Sequence, residues 1–119
     1  MKQKFEIVLA DILDAIDMIE EYTKDMEYTD FKTSRITVDA TVRNLEIIGE
    51  AVSQLQEDIK KKYTDAPWQE IKNFRNVVIH KYRTVDMSIL WDIIQHKLTP
   101  LHQQVEEILD KEKADNPKR

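Results

Sequence analysis

The sequence contains no cysteine, a single glycine (Gly49) and only three prolines, Pro67, Pro100 and Pro117. Without cysteine there is no disulfide, no thiolate metal site and no thiol nucleophile, which suits a reducing compartment. One glycine in the middle of an apolar helical pattern cannot build a phosphate-cradling Gly-rich loop. So few glycines and prolines also cannot supply the turns of a sheet with many hairpins. No apolar run approaches the ~20 residues of a membrane span. The opening stretch "MKQKFEIVLADILDAIDMIEE" is charged throughout, unlike a secretory signal. These absences point to a cytoplasmic α-helical protein with no membrane segment and no resident cofactor.

What is present is a soluble globular composition, 41% hydrophobic and 34% charged over 119 residues, enough for one domain with a real core. The net charge is −5, but it is unevenly spread. Residues 1–59 carry 6 Lys/Arg and 14 Asp/Glu. Residues 60–83 carry Lys60, Lys61, Lys62, Lys72, Arg75, Lys81 and Arg83 against only Asp65 and Glu70, a local net charge of +5. A local basic patch can meet nucleic acid even on an acidic chain. It can equally be a solvated lysine run.

The apolar periodicity is helical everywhere. Phe5, Val8, Leu9, Ile12, Leu13, Ile16 and Ile19 follow the 3–4 spacing of an amphipathic helix that ends within "KDMEYTDF". Thr33 or Ser34 caps a second helix. Its main stripe is Val38, Val42, Leu45, Ile48, Val52, Leu55 and Ile59, and Ile36, Ala40, Ile47 and Ala51 form another. A helix apolar on two faces is packed on more than one side. Pro67 opens a third helix, with Asp65 as a cap just before it, running to about His80. Asp86 caps a fourth, whose stripe is Met87, Leu90, Ile94, Leu98, Leu101, Val105 and Ile108; Pro100 predicts a kink or break near residues 97–99. Trp68 and Trp91 are expected in the core. The expected architecture is all-α, an up-and-down bundle of four or five helices over residues 1–110 with a frayed polar tail at 111–119.

The third helix carries the chemistry. On a wheel of about 100° per residue with Trp68 at zero, Ile71, Phe74 and Val78 occupy an arc of roughly 240–300°. Asn73, Asn76 and His80 fall at roughly 80–140°, and Arg75 at about 340°. A guanidinium beside an aromatic core stripe is costly unless it has a partner or opens on a cleft. Two readings follow. Arg75 pairs with Glu46 or Glu50 of the preceding helix, and Asn76 and His80 are helix-end hydrogen-bonders. Alternatively, the three make a site, since histidine moves protons near neutral pH and arginine stabilises charge on phosphate oxygens.

Arg75, Asn76, His80 and Tyr82 read as R-N-x-x-x-H-x-Y, and this resembles the HepT-like branch of the HEPN domains, helical toxins of bacterial and archaeal toxin–antitoxin pairs. "RNLEIIGEAVSQL" (43–55), "PWQEIKNFRNVVIHKY" (67–82) and "VDMSILWDIIQHKLTPL" (85–101) resemble successive helices of that family, in order, over most of the chain from about Val38 to Leu109. The resemblance implies a HEPN-like fold and a metal-independent endoribonuclease acting as a homodimer, with both protomers' motifs in one cleft. Carried over, His80 is general base or acid for attack by a ribose 2′-OH, Arg75 holds the scissile phosphate, and Asn76 positions them. Lys72, Lys81 and Arg83 become RNA-contact candidates, and Glu50 and Arg43 supporting residues behind the motif. The resemblance further implies a minimal nucleotidyltransferase antitoxin that uses ATP to transfer AMP to Tyr82. A non-catalytic HEPN module that binds nucleotide or holds such a partner is the alternative, and a plain helical scaffold explains the stripes but not the motif.

No metal is expected. Asp92 and His96 are four apart, but His102 lies six further on, past Pro100, without paired-ligand spacing. Asp11, Asp14, Asp17, Glu20 and Glu21 read as a solvated face.

Overall fold

The computed structural model describes residues 4–81 and 87–115, excepting the side chains of 75–81. The described residues are helical with no strand. Helix α1 (Lys4–Thr23) buries Phe5, Val8, Leu9, Ile12, Ala15, Ile16 and Ile19, one residue every three or four, as its periodicity requires. Its acidic residues Asp11, Asp14, Asp17, Glu20 and Glu21 are exposed, as expected. Thr23 Oγ1 donates back to the Ile19 carbonyl at 2.9 Å, and Asp25 takes a left-handed backbone at φ 64°, which a short polar side chain tolerates.

The segment expected only as the end of α1 forms a short helix of its own, α2 (Tyr28–Thr33). It starts on a reciprocal cap between Glu27 and Asp30 and buries Phe31. Helix α3 (Arg35–Gln54) begins where the sequence placed it: Ser34 Oγ accepts from Thr37 N–H at 3.3 Å. It packs against both α1 and α5 (Trp68–Lys81), the central position inferred from its two apolar stripes. The second stripe is only partly used. Ala51 is buried and Ile47 half-buried, but Ile36 is 84% exposed at the helix start, where no neighbour reaches it. Gly49 is buried among these helices, where a side chain would push a neighbour away.

A short α4 (Glu57–Lys62) leads to the turn before α5. Asp65 lies exposed in that turn, its carbonyl accepting from Gln104 Nε2 at 3.4 Å. The last long element comprises α6 (Met87–Asp92), a π-helical turn over Ile93–Lys97, and α7 (Leu98–Asp115). Of the kink or break expected near residues 97–99, the break does not occur, and a π-helical turn stands there instead. Proline has no N–H to donate, and its ring would crowd the His96 carbonyl in an α-helix. The π turn shifts the ladder just upstream, with Leu98 N–H bonding to the Ile93 carbonyl, and the helix passes the proline intact.

The two tryptophans are half-buried rather than central. Trp91 packs its ring 5.3 Å from that of Phe31, and Trp68 Nε1 donates to the Tyr63 carbonyl at 2.9 Å. Helix α7 also runs beyond residue 110, where the polar tail was expected to begin. Its last turns are anchored by Glu112, which is 4% exposed and accepts from Lys62 Nζ (2.8 Å) and Tyr63 Oη (2.5 Å). Lys62 also reaches Asp115 at 3.3 Å. Burial and the bond to Glu112 raise the Tyr63 hydroxyl above its ordinary value, and the two carboxylates raise Lys62.

The buried hydroxyl of Thr41 has no hydrogen-bond partner among the described residues. Thr41→Val keeps the shape and removes an unpaired polar atom, so urea unfolding should show a gain of about 1 kcal/mol. Tyr63→Phe should cost about 1 kcal/mol in the same measurement by removing a donor from Glu112. Because both partners' proton affinities are raised in the folded state, their stabilisation is complete at neutral pH. It fades only as alkali removes the Tyr63 and Lys62 protons. A wild-type pH–stability curve should therefore fall on the alkaline side, and Tyr63→Phe should flatten that fall.

Candidate functional site

Helix α5 presents the motif, and its burial pattern orients it. Ile71 (1% exposed) and Phe74 (6%) seat one side of the helix in the core, matching the expected 240–300° arc; Val78, the third member of that arc, lies outside the described side chains. The first turn is held by Trp68 bonding to Tyr63 and by Glu70, which lies 3.2 Å from Lys97 Nζ on the π turn. Exposed Gln69, Lys72 and Asn73 occupy the opposite side. Positions 75, 76, 80 and 81 fall in the last two turns of the helix. Side-chain placement of Arg75, Asn76, His80 and Lys81 lies outside the described residues, as do Tyr82, Arg83 and the Asp86 cap.

The helical backbone alone constrains the chemistry. Positions 76 and 80 are one turn apart on one line of α5, so a residue at 76 can support one at 80. Positions 75 and 80 are about 140° apart around the axis and separated by about 7.5 Å along it. The backbone of one helix therefore sets these two positions apart around its axis.

Of the two supporting candidates on α3, Arg43 and Glu50 are both exposed. Arg43 lies 3.8 Å from Glu46, one turn away, an exposed pair of small energetic consequence. Among the described residues no three histidine or carboxylate side chains converge as metal ligands. His102 and Asp92 are not brought together. His96 lies 3.8 Å from Asp92, while His102 stands between Asp17 of α1 at 2.9 Å and Glu106 at 3.1 Å, tying α7 to α1. The sequence offered Asp17 only as a solvated acid; its meeting with His102 depends on a contact across more than eighty residues.

Two cavities flank α5. The larger, about 610 Å³, lies beyond its N-terminal end, between the turn at Tyr63–Ala66 and α7 residues such as Gln104, Ile108 and Lys111. Position 80 is about 18 Å along the helix from Trp68, so this hollow lies at the opposite end of α5 from it. The smaller, about 230 Å³, lies between Phe74, Pro67 and the π-turn side of α7, on the core-facing flank of α5. No described helix is long and apolar enough to cross a membrane.

Comparison with known proteins places the chain in a family. The family model "Ribonuclease HepT-like" matches residues 12–108, which take in α1 through most of α7. The chain is 35% identical over 108 residues to "Probable ribonuclease HepT" of Thermococcus cleftensis, covering 91% of this chain and 98% of that protein. It is 39% identical over 110 residues to the "Gamma-glutamylcyclotransferase and putative RNase" of Methanocaldococcus jannaschii; that match covers 92% of this chain and spans half the length of that protein. A third relative, the "Putative RNase" of Caldanaerobacter subterraneus subsp. tengcongensis, is 39% identical over 105 residues, 88% of this chain and 94% of its own. No solved structure matches. The chain belongs to the ribonuclease HepT-like family, a group of all-α ribonucleases.

Proposed function

We propose that this ribonuclease is a metal-independent endonuclease, the toxin of a toxin–antitoxin pair, and that it works as a homodimer. The observation that carries this is the R-N-x-x-x-H stretch, positions 75–80, on the closing turns of α5, followed in sequence by Tyr82, in a chain that the family model matches from residue 12 to residue 108. His80 takes the proton of a ribose 2′-OH. The 2′ oxygen attacks the adjacent phosphorus, the bond to the 5′ oxygen breaks, and that oxygen leaves with a proton. The products are a 2′,3′-cyclic phosphate and a 5′-hydroxyl. Arg75 neutralises charge building on the phosphoryl oxygens, and Asn76 holds His80 or the substrate in line.

The spread of positions 75 and 80 around α5 supports the dimer. Two copies of the helix set side by side offer an arginine of one protomer to a histidine of the other, which one helix cannot do by itself. Lys72, Lys81 and Arg83 supply cations for the RNA backbone. Tyr82, two residues beyond His80, is the acceptor of AMP from a minimal nucleotidyltransferase partner. Its hydroxyl attacks the α-phosphate of ATP and pyrophosphate leaves. The adenylate adds bulk and about one negative charge beside a phosphate site, which opposes RNA binding.

Purified protein should run at twice the 14.2 kDa chain mass by light scattering and cut single-stranded RNA in EDTA. His80→Ala should lower the rate by roughly 10²–10⁴-fold, the usual contribution of a positioned proton-transfer group. Cutting of a substrate with 2′-hydrogen at the scissile nucleotide would sink the mechanism. Binding without any cutting would favour the non-catalytic reading.

Co-expression with the cognate nucleotidyltransferase should raise the intact mass by one adenylate and relieve toxicity. Tyr82→Phe keeps the ring and removes the acceptor, so it should stay toxic beside the partner. Full neutralisation of that variant, with no adenylate elsewhere, would show that the partner acts by occlusion alone.

A further inference from the structure

One line of positions on α5 holds no Asp, Glu, Lys or Arg. Placed on the same wheel, Gln69, Asn73, Asn76 and His80 are the only residues of α5 between about 80° and 140°. By sequence these four positions hold two asparagines, a glutamine and a histidine, spread over about 16 Å of helix. The exposed faces of α1 and α3 are built mainly from Asp, Glu and Arg, as expected of a chain that is 34% charged. The only acid in α5, Glu70, points away from this line toward Lys97, 3.2 Å from its Nζ. Exposed Lys72 flanks the line and supplies a cation.

The two residues of this line whose side chains are described are already paired. Gln69 Nε2 donates to Asn73 Oδ1 at 3.1 Å, with both side chains exposed. That bond pins the carboxamides against each other and leaves Gln69 Oε1 as an acceptor and the Asn73 amide hydrogens as donors. An acceptor and a donor held side by side are what the edge of an unpaired base requires. Carboxamides match adenine in particular, which offers a donor amine next to a ring-nitrogen acceptor.

We propose that Gln69 and Asn73 form a base-reading subsite for single-stranded RNA, adenine by preference, collinear with positions 76 and 80. The subsite rests on the reading of Arg75 and His80 as the cleavage site. It lies two to three helical turns from position 80, so the base it reads flanks the cut and is not the scissile nucleotide itself. Lys72, between Gln69 and Asn73 along the chain, holds the backbone beside the base that they read. Gln69 and Asn73 are specificity-determining residues, and they touch none of the reacting atoms.

The test is cut-site sequencing of a random single-stranded RNA pool with wild type and Gln69→Ala/Asn73→Ala, paired with anisotropy binding of uncleavable 2′-O-methyl oligomers containing either adenine or only uracil. Wild type should enrich adenine about tenfold at one fixed offset from the cut, within the usual range for a bidentate base contact. The double variant should lose that enrichment, and the exchanged pair Gln69→Asn/Asn73→Gln should restore part of it. Loss of fold would lower all cutting without reshaping the distribution. If wild type cuts and the double variant's distribution is unchanged, or wild type shows no preference at any offset, the subsite is wrong and the cleavage reading stands. If wild type cuts nothing but prefers the adenine oligomer, and the double variant does not, the subsite stands and the cleavage reading falls. If it neither cuts nor discriminates, both fall.

Discussion

Burial of one side of α5 against α3 is the constraint on which the rest depends. Ile71 and Phe74 are nearly inaccessible, so the helix cannot rotate about its axis without exposing them. Each side chain of that size is worth about 1.5–3 kcal/mol when buried, which holds the helix in one angular setting. Every other position of α5 then has its direction assigned by the 100° step. The same packing that stabilises the bundle thereby leaves Gln69 and Asn73 exposed on the side away from the core.

Several features of the fold serve to leave that surface undisturbed. Glu70, the one acid on α5, is drawn off by Lys97 on the π turn. The π turn itself lets one long helix continue past Pro100, so that Leu98, Leu101 and Val105 remain in the core. At the far end of the molecule, the Lys62–Glu112–Tyr63 cluster secures the close of α7 and the turn before α5. A buried carboxylate there is tolerable because two donors reach it. The turn thus anchored receives the indole of Trp68 and fixes where α5 begins.

The hollow of about 610 Å³ lies at the N-terminal end of α5, the end away from positions 76 and 80. Charge is unevenly spread along the chain: residues 1–59 hold 14 Asp/Glu against 6 Lys/Arg, whereas residues 60–83, which include α5, carry a local net charge of +5.

The sequence by itself determined the helical class, the buried stripe of α1, that of α3 as far as Val52, a cap at Thr33 or Ser34 and the setting of α5, because 3.6-residue periodicity and capping chemistry are local properties; the structure chose Ser34 and ended α3 at Gln54, so that Ile59 falls on α4. It determined the motif too, since a spacing of five along one helix is visible without any neighbour. Tertiary structure alone decided the exposure of Ile36, the half-burial of the tryptophans, and the meetings of His102 with Asp17 and of Lys62 with Glu112. Each depends on which remote surface arrives beside the residue. Pro100 shows the division most clearly: the missing N–H and the bulky ring are sequence facts. That the helix answers with a π turn rather than a break follows from the burial of Leu98 and Leu101 on either side of it, which a broken helix would expose.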